Sequence, residues 1–243
     1  MTPSPSPTPF NSAHFRARIV KILLAAGAVA TTISLLVEAI SFAFPPLANE
    51  QDVGENPIGA VMTLFTAAVA ILDFFIYLVT IVFFLMWLYR SYDNVRKFNP
   101  WNRTTYSPGF AVGSFFIPFM NLVVPYRIVK EIWQKSGLPE EVQLAEPSPP
   151  GVFPAWWLFW LLAGFTNNLS MRVSFNERLE NSGVAILSIV ASALSVLAAI
   201  FAYLVVDEID KRQEETSARL NLGNFTTLPP PPPDLSMPIT HFE

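Results

Sequence analysis

The chain has 243 residues, of which 52% are hydrophobic and only 14% charged, against about 25% charged in an ordinary soluble domain. It has no cysteine and only two histidines, His14 and His241, both in polar terminal segments. That excludes disulfides, thiolate chemistry and cysteine metal sites, as well as a histidine-built metal or catalytic cluster inside a membrane. The formal net charge of −4 hides a sorted distribution: residues 89–135 hold seven Lys/Arg against Asp93 and Glu131, whereas residues 45–57 hold Glu50, Asp52 and Glu55 with no basic residue.

Residues 1–15 form a Pro/Ser-rich tail that cannot build a core and is expected to be disordered. The first apolar run, 20–44, follows Arg16, Arg18 and Lys21. It is longer than the apolar stretch of a signal peptide and reads as a retained anchor. Glu38 lies near its outer end, where it is expected to snorkel to water or meet Arg172 in a structural role.

The second run, 58–88, exceeds the span of a hydrocarbon core of about 30 Å. The helical pattern persists to residue 98, or about 60 Å at 1.5 Å per residue. Trp87 marks the exit from the bilayer, Arg90, Asn94 and Lys97 then follow helical spacing on one cytosolic face, and Asn99-Pro100 stops the helix. Asp73 sits near the middle of the span, where an ionised Asp costs about 2.5–3.5 kcal/mol. No Lys or Arg lies deep in any run to pair with it. The expectation is a neutral packing Asp that donates to Ser or Thr on a neighbouring helix; a proton or cation site is the alternative.

The third run, 110–124, is short and carries Pro118, with Pro125 directly after it. Each proline removes a backbone donor and clashes with the preceding turn. Asn121 between them can bond freed backbone groups, and such a break is tolerated at membrane depth only under cover of protein or a wet cavity. Pro125 suits the first position of a new helix over 125–135. That helix places Ile128, Ile132 and Trp133 near one side and Arg127, Lys130 and Glu131 elsewhere, an interfacial pattern. The fourth and fifth runs, 153–170 and 184–206, read as spans, with Asn167 and Asn168 as helix glue. The end, 216–243, contains a run of five prolines at 229–233 and reads as an extended tail.

Lys and Arg near span ends favour the cytosol. If all five runs cross with the N-terminus inside, nine basic residues lie inside and six outside. If the third run enters and leaves on the cytosolic side, thirteen lie inside and only Arg172 and Arg178 outside. The chain is therefore expected to be an all-α integral membrane protein. Residues 16–215 form the membrane domain, with four transmembrane helices plus a proline-broken re-entrant or interfacial segment; five transmembrane helices are the alternative.

The stretch 87–133 carries a family resemblance. It reads Trp87, Arg90, Asn94, then Ser107-Pro108-Gly109-Phe110-Ala111-Val112-Gly113, Phe116, Pro118, Asn121-Leu122, Pro125-Tyr126, Glu131 and Trp133. This resembles the bacterial membrane family catalogued as domain of unknown function 4328, whose pattern has Trp where this chain has Phe110. Looser likeness continues through Trp156-Trp157 and Arg212-Gln213, over most of residues 55–215. The resemblance implies a multi-pass protein of a bacterial membrane and assigns no activity.

The basic and aromatic residues around the break give the leading functional expectation. Arg90, Arg96, Lys97, Arg103, Arg127, Lys130 and Lys135 cluster at the inner leaflet, where each gains about 1 kcal/mol near anionic lipid. Trp87, Trp101, Tyr106, Tyr126 and Trp133 supply rings at headgroup level. Arg90, Asn94, Asn121, Tyr126, Arg127 and Trp133 are the candidate binding residues of a scaffold or regulatory protein in the bacterial cytoplasmic membrane. Its partners are the bilayer, anionic headgroups or another protein. Arg90 or Asn94 is expected to satisfy carbonyls freed by Pro118 and Pro125. The alternative is a subunit of a proton- or ion-coupled transporter or channel using Asp73 and the break at Pro118 and Asn121, which homo-oligomerisation would help, since four spans rarely enclose a pore. No nucleic-acid role, enzyme motif, metal or cofactor is indicated.

Overall fold

The computed structural model describes residues 10–43, 57–98, 104–138, 147–174, 181–220 and 222. Regular structure among them is helical. The long helices are α1 (His14–Ala43), α2 (Pro57–Phe98), α5 (Val152–Ser174) and α6 (Asn181–Arg219). Between α2 and α5 lie α3 (Pro108–Gly113), a 3-10 turn at Met120–Leu122, and α4 (Val124–Lys135). The expected tails, most of 1–15 and of 216–243, lie outside the described residues, as do Trp101, Arg103 and the Asn99-Pro100 stop.

In lipid every backbone polar group must be satisfied within the segment, and that makes these apolar runs helices. Proline enters α2 only at its first position, Pro57, so the helix continues unbroken for 42 residues and past any bilayer edge. α6 likewise runs on from its apolar stretch through Asp207–Arg219, because Glu, Lys, Arg and Gln are good helix formers. Among the described residues, three stretches are long and apolar enough to cross a membrane: His14–Ile40, Thr63–Phe98 and Gly183–Arg219. α5 has 23 residues, but Pro154, Asn167, Asn168 and three tryptophans dilute its apolar character, and it is not among them.

The long helices lie side by side in the order α2, α1, α6, α5, each antiparallel to its neighbour. Thr31 of α1 meets Asp73 of α2, while Asn11 just before α1 meets Asn94 near the end of α2. Lys21 meets Asp207 of α6, and Glu38 meets Ser188 and Ser192. Phe159 of α5 stacks on Phe201 of α6 at 5.2 Å, and Asn167 reaches Ser195. The start of α1, the end of α2, the start of α5 and the end of α6 therefore share one end of the array, the junction.

Residues 104–138 pack on that junction. α3 lies against α2, and α4 touches α2, α5 and α6. The prolines act locally as expected: 110–124 forms no continuous helix, and α4 starts with Pro125 in its first turn. Fully buried residues gather here: Trp87, Leu88, Tyr92 and Val95 from α2, Ile128, Val129 and Ile132 from α4, Phe153 from α5, and Val205, Val206 and Ile209 from α6. The other ends of the helices leave large apolar side chains such as Leu64, Phe74 and Phe165 open.

Candidate functional site

The junction is built around Glu131 of α4. Its Oε2 accepts from the Tyr92 hydroxyl at 2.8 Å, and its Oε1 from the Thr105 amide, the Thr105 hydroxyl and Lys135 Nζ at 2.8, 2.9 and 2.6 Å. Tyr92 Oη in turn accepts the Tyr106 amide at 2.9 Å. Burial pushes the Glu131 carboxyl upward, but these donors and the Lys135 charge outweigh it and hold the group below its ordinary range. Glu131 thus faces inward and ties the loop before α3 to both α2 and α4. The helical pattern set it apart from the buried Ile128, Ile132 and Trp133; four donors reverse that placement by satisfying the carboxylate.

Gln213 of α6 holds the opposite side. Its Nε2 donates to the Ser91 carbonyl at 2.9 Å and to Ser136 Oγ at 3.0 Å, while its Oε1 accepts from Asn94 at 3.5 Å. Thr216 Oγ1 donates to the Ser136 carbonyl at 2.8 Å. Arg212 lies over the ring of Trp133 at 4.5 Å, a cation–π contact that closes α6 onto α4.

The broken segment ends in a tight reversal. Phe119 has φ 63, a region that L side chains rarely adopt, and the Met120 amide closes back on the Pro118 carbonyl at 2.8 Å, a strained γ-turn. Phe119 is left 85% exposed, flanked by exposed Phe116, Ile117, Leu122 and Val123. The Leu122 carbonyl, which the Pro125 ring cannot serve, accepts instead from Trp157 Nε1 at 3.1 Å. Tyr126 stacks on the same Trp157, with ring centroids 6.5 Å apart.

The expectation that Arg90 or Asn94 would meet the break is corrected here. Arg90 pairs with Asp93 at 3.2 Å, and Asp93 also binds Lys97 at 2.9 Å. Asn94 is fully buried and donates to the Asn11 carbonyl at 3.1 Å and to Gln213. The outer face of α2 at this end is therefore Arg90, Asp93 and Lys97, with Asn94 turned inward, because the start of α1 and the end of α6 cover that side. The Asn121 side chain makes no hydrogen bond among the described residues; Trp157 serves the freed carbonyl in its place. Trp87 and Trp133 are core residues rather than headgroup rings: both are buried in the junction cluster, Trp133 against Phe153 of α5 and under Arg212 of α6. Arg96 is engaged by Thr104 Oγ1 and the Tyr106 carbonyl, and Lys135 by Glu131. Arg127 is exposed and Lys130 partly so, on the outer side of α4.

Two acids lie between the long helices. Asp73 accepts from Thr31 Oγ1 at 3.4 Å at both carboxyl oxygens. Glu38 accepts from Ser188 and Ser192 at 3.1 and 3.3 Å. Neither snorkelling nor Arg172 is needed for Glu38, because α6 presents two hydroxyls one turn apart. Asn167 does join α5 to α6 through Ser195, whereas Asn168 bonds the Gly164 carbonyl of its own helix. Sequence reasoning missed a further cluster near the junction: Lys21 bridges Asp207 at 2.8 Å and Asp210 at 3.4 Å, and His14 Nδ1 lies 2.9 Å from Asp210. Its only signal was that two acids on α6 follow Val206 at a three-residue spacing.

A family model described as Domain of unknown function (DUF4328) matches residues 58–211. That is more than half of the chain, and the chain belongs to this family. The matched region takes in α2 to α5 and most of α6; α1 lies before it, wedged between α2 and α6. No curated protein and no solved structure matches the chain.

Proposed function

We propose that this DUF4328 chain is a multi-pass scaffold or regulatory protein of the bacterial cytoplasmic membrane, with both termini in the cytosol. The junction is its cytosolic platform, which binds lipid headgroups or a partner protein. α5 is a fourth span, and residues 110–126 are a re-entrant or interfacial segment. The observation that carries this reading is the position of 104–138, which leaves α2 and enters α5 at the same end of the array. The exposed apolar reversal at Phe119 adds to it: a bulky ring in a strained turn, with apolar neighbours and no cover, fits an element dipping into the hydrocarbon edge. Arg127 and Lys130 on the outer side of α4 supply the charge toward the headgroups.

Reporter fusions test the topology. Fusions after Lys135 and after Lys211 are expected to report cytosol, and insertions within 45–57 and 171–183 the outside. An outside signal at the C-terminus would replace this arrangement with five spans.

The second reading, a proton- or ion-coupled subunit, draws on Asp73 and Glu38, two carboxylates held by hydroxyls between the long helices. It weakens on distance. Phe84 of α2, whose ring meets Phe115 at 6.0 Å, lies about 16 Å along the helix from Asp73. The acid therefore lies well along α2 from the place where Phe115 touches it.

A further inference from the structure

An open groove of about 470 Å³ lies between the first turn of α1, the end of α2 and α3, lined by Arg16, Leu85, Met86, Tyr89, Arg90 and Val112. It shares no residue with the Glu131 or Gln213 networks. We infer that this groove holds one anionic phospholipid, with its phosphate between Arg16 and Arg90 and an acyl chain along Leu85, Met86 and Val112.

Charge complementarity sets the headgroup. The lining has two guanidiniums and no carboxylate, and guanidinium is the side chain best matched to phosphate oxygens. Arg16 makes no hydrogen bond or ion pair with another described residue. The Asp93 partner of Arg90 is shared with Lys97, so one carboxylate faces two cations and the site stays positive. Arg16 enters because α1 runs antiparallel to α2, which brings its first turn to the level of Arg90.

The apolar half sets the tail. Val82, Met86 and Tyr89 are 55%, 46% and 48% exposed, and they continue the open apolar surface of α2 up to the first charged turn. A phosphodiester sits at such a boundary in a bilayer, with its chains on the apolar side. Inorganic phosphate would leave Leu85, Met86 and Val112 uncovered. An acidic peptide would lay unsatisfied backbone against hydrocarbon. The volume lies within the range of about 300–1,000 Å³ typical of ligand sites. The inference rests on the platform reading for its placement at the inner leaflet, and it adds the ligand class and Arg16.

The test uses the full chain in mild detergent, titrated with phosphatidylglycerol or phosphatidylcholine, with bound lipid counted by native mass spectrometry. One phosphatidylglycerol is expected to bind in preference to phosphatidylcholine. Arg16→Gln and Arg90→Gln are each expected to weaken it about fivefold, and the pair about 30-fold. Lys at both positions keeps the charge and should retain more affinity than Gln but less than Arg, and millimolar inorganic phosphate should not displace the lipid. Arg16→Gln breaks no hydrogen bond or ion pair with a described residue, so it decides the matter if the double variant folds poorly. Equal affinity for phosphatidylcholine, displacement by phosphate, or binding unchanged in Arg16→Gln overturns the inference. The Arg127→Gln/Lys130→Gln pair separates the two readings. It should leave this single site within twofold while lowering salt-sensitive binding to anionic vesicles. Loss only in that pair upholds the platform and removes the groove; loss only in the Arg16/Arg90 pair upholds the groove and removes the α4 surface.

Discussion

On α2, Trp87, Leu88, Tyr92 and Val95 are sealed from solvent, whereas Leu64, Phe65, Ile71, Leu72 and Phe74 on the same helix stand open. The junction half is packed from six helices and satisfies Glu131, Gln213, Ser136 and Thr216 internally. The arm half is joined by sparse pairs: Thr31 to Asp73, Asn167 to Ser195, and Glu38 to two serines. The difference follows from the solvent each half is built for. Water drives apolar side chains together at the junction, whereas lipid tails are as apolar as the arms and give no such drive, so contact there rests on packing and a few hydrogen bonds. The order of expected mutational effects therefore runs from the junction outward.

Glu131→Ala carries the largest expected effect. It strands the Tyr92 hydroxyl and the Thr105 amide and removes the buried carboxylate that Lys135 binds. Breaking a buried charge pair from one side costs about 3–5 kcal/mol. Denaturant or thermal unfolding in detergent, followed by tryptophan fluorescence, reads this directly. A loss under 1 kcal/mol would break the comparison, because the junction would then be no more cohesive than the arms.

Acid is expected to act on the same group. The folded Glu131 carboxyl lies below its ordinary value, so its contribution is fully present above about pH 4.3 and is lost as pH falls through the depressed folded value. Junction fluorescence should change in that acid window, and Glu131→Gln should remove the change. A transition that persists in Glu131→Gln would assign the acid sensitivity to another group and break the comparison on this point.

Asp73→Asn carries the smallest expected effect. Asn keeps the shape and still bonds Thr31, and hydrogen bonds between membrane helices average about 0.6 kcal/mol. Expression and stability should therefore stay near wild type. Intact expression with loss of a pH- or ion-dependent phenotype would sharpen the comparison in the opposite sense, since it would move function from the junction into the arms.

The sequence by itself determined the helices. Apolar runs of span length with no internal proline fixed α1, α2 and α6, and Pro118 and Pro125 fixed where the third run breaks and where α4 begins. The order of prolines, glycine and polar positions from Trp87 to Trp133 also carried the family. These features are legible because they act within a turn or two of the chain. Only the tertiary structure decided which polar groups meet. Asn94 and Gln213, 119 residues apart in sequence, share a buried bond that no local spacing announces, and Lys21 finds Asp207 across 186 residues. Helical phase sets Glu131 apart from the apolar side of α4, and spacing alone offers Arg90 or Asn94 as the partner of the break; neither placement holds in the fold. Helical phase gives a direction around one axis; whether water or a neighbouring helix lies in that direction depends on how the antiparallel helices and the returning segment converge at one end.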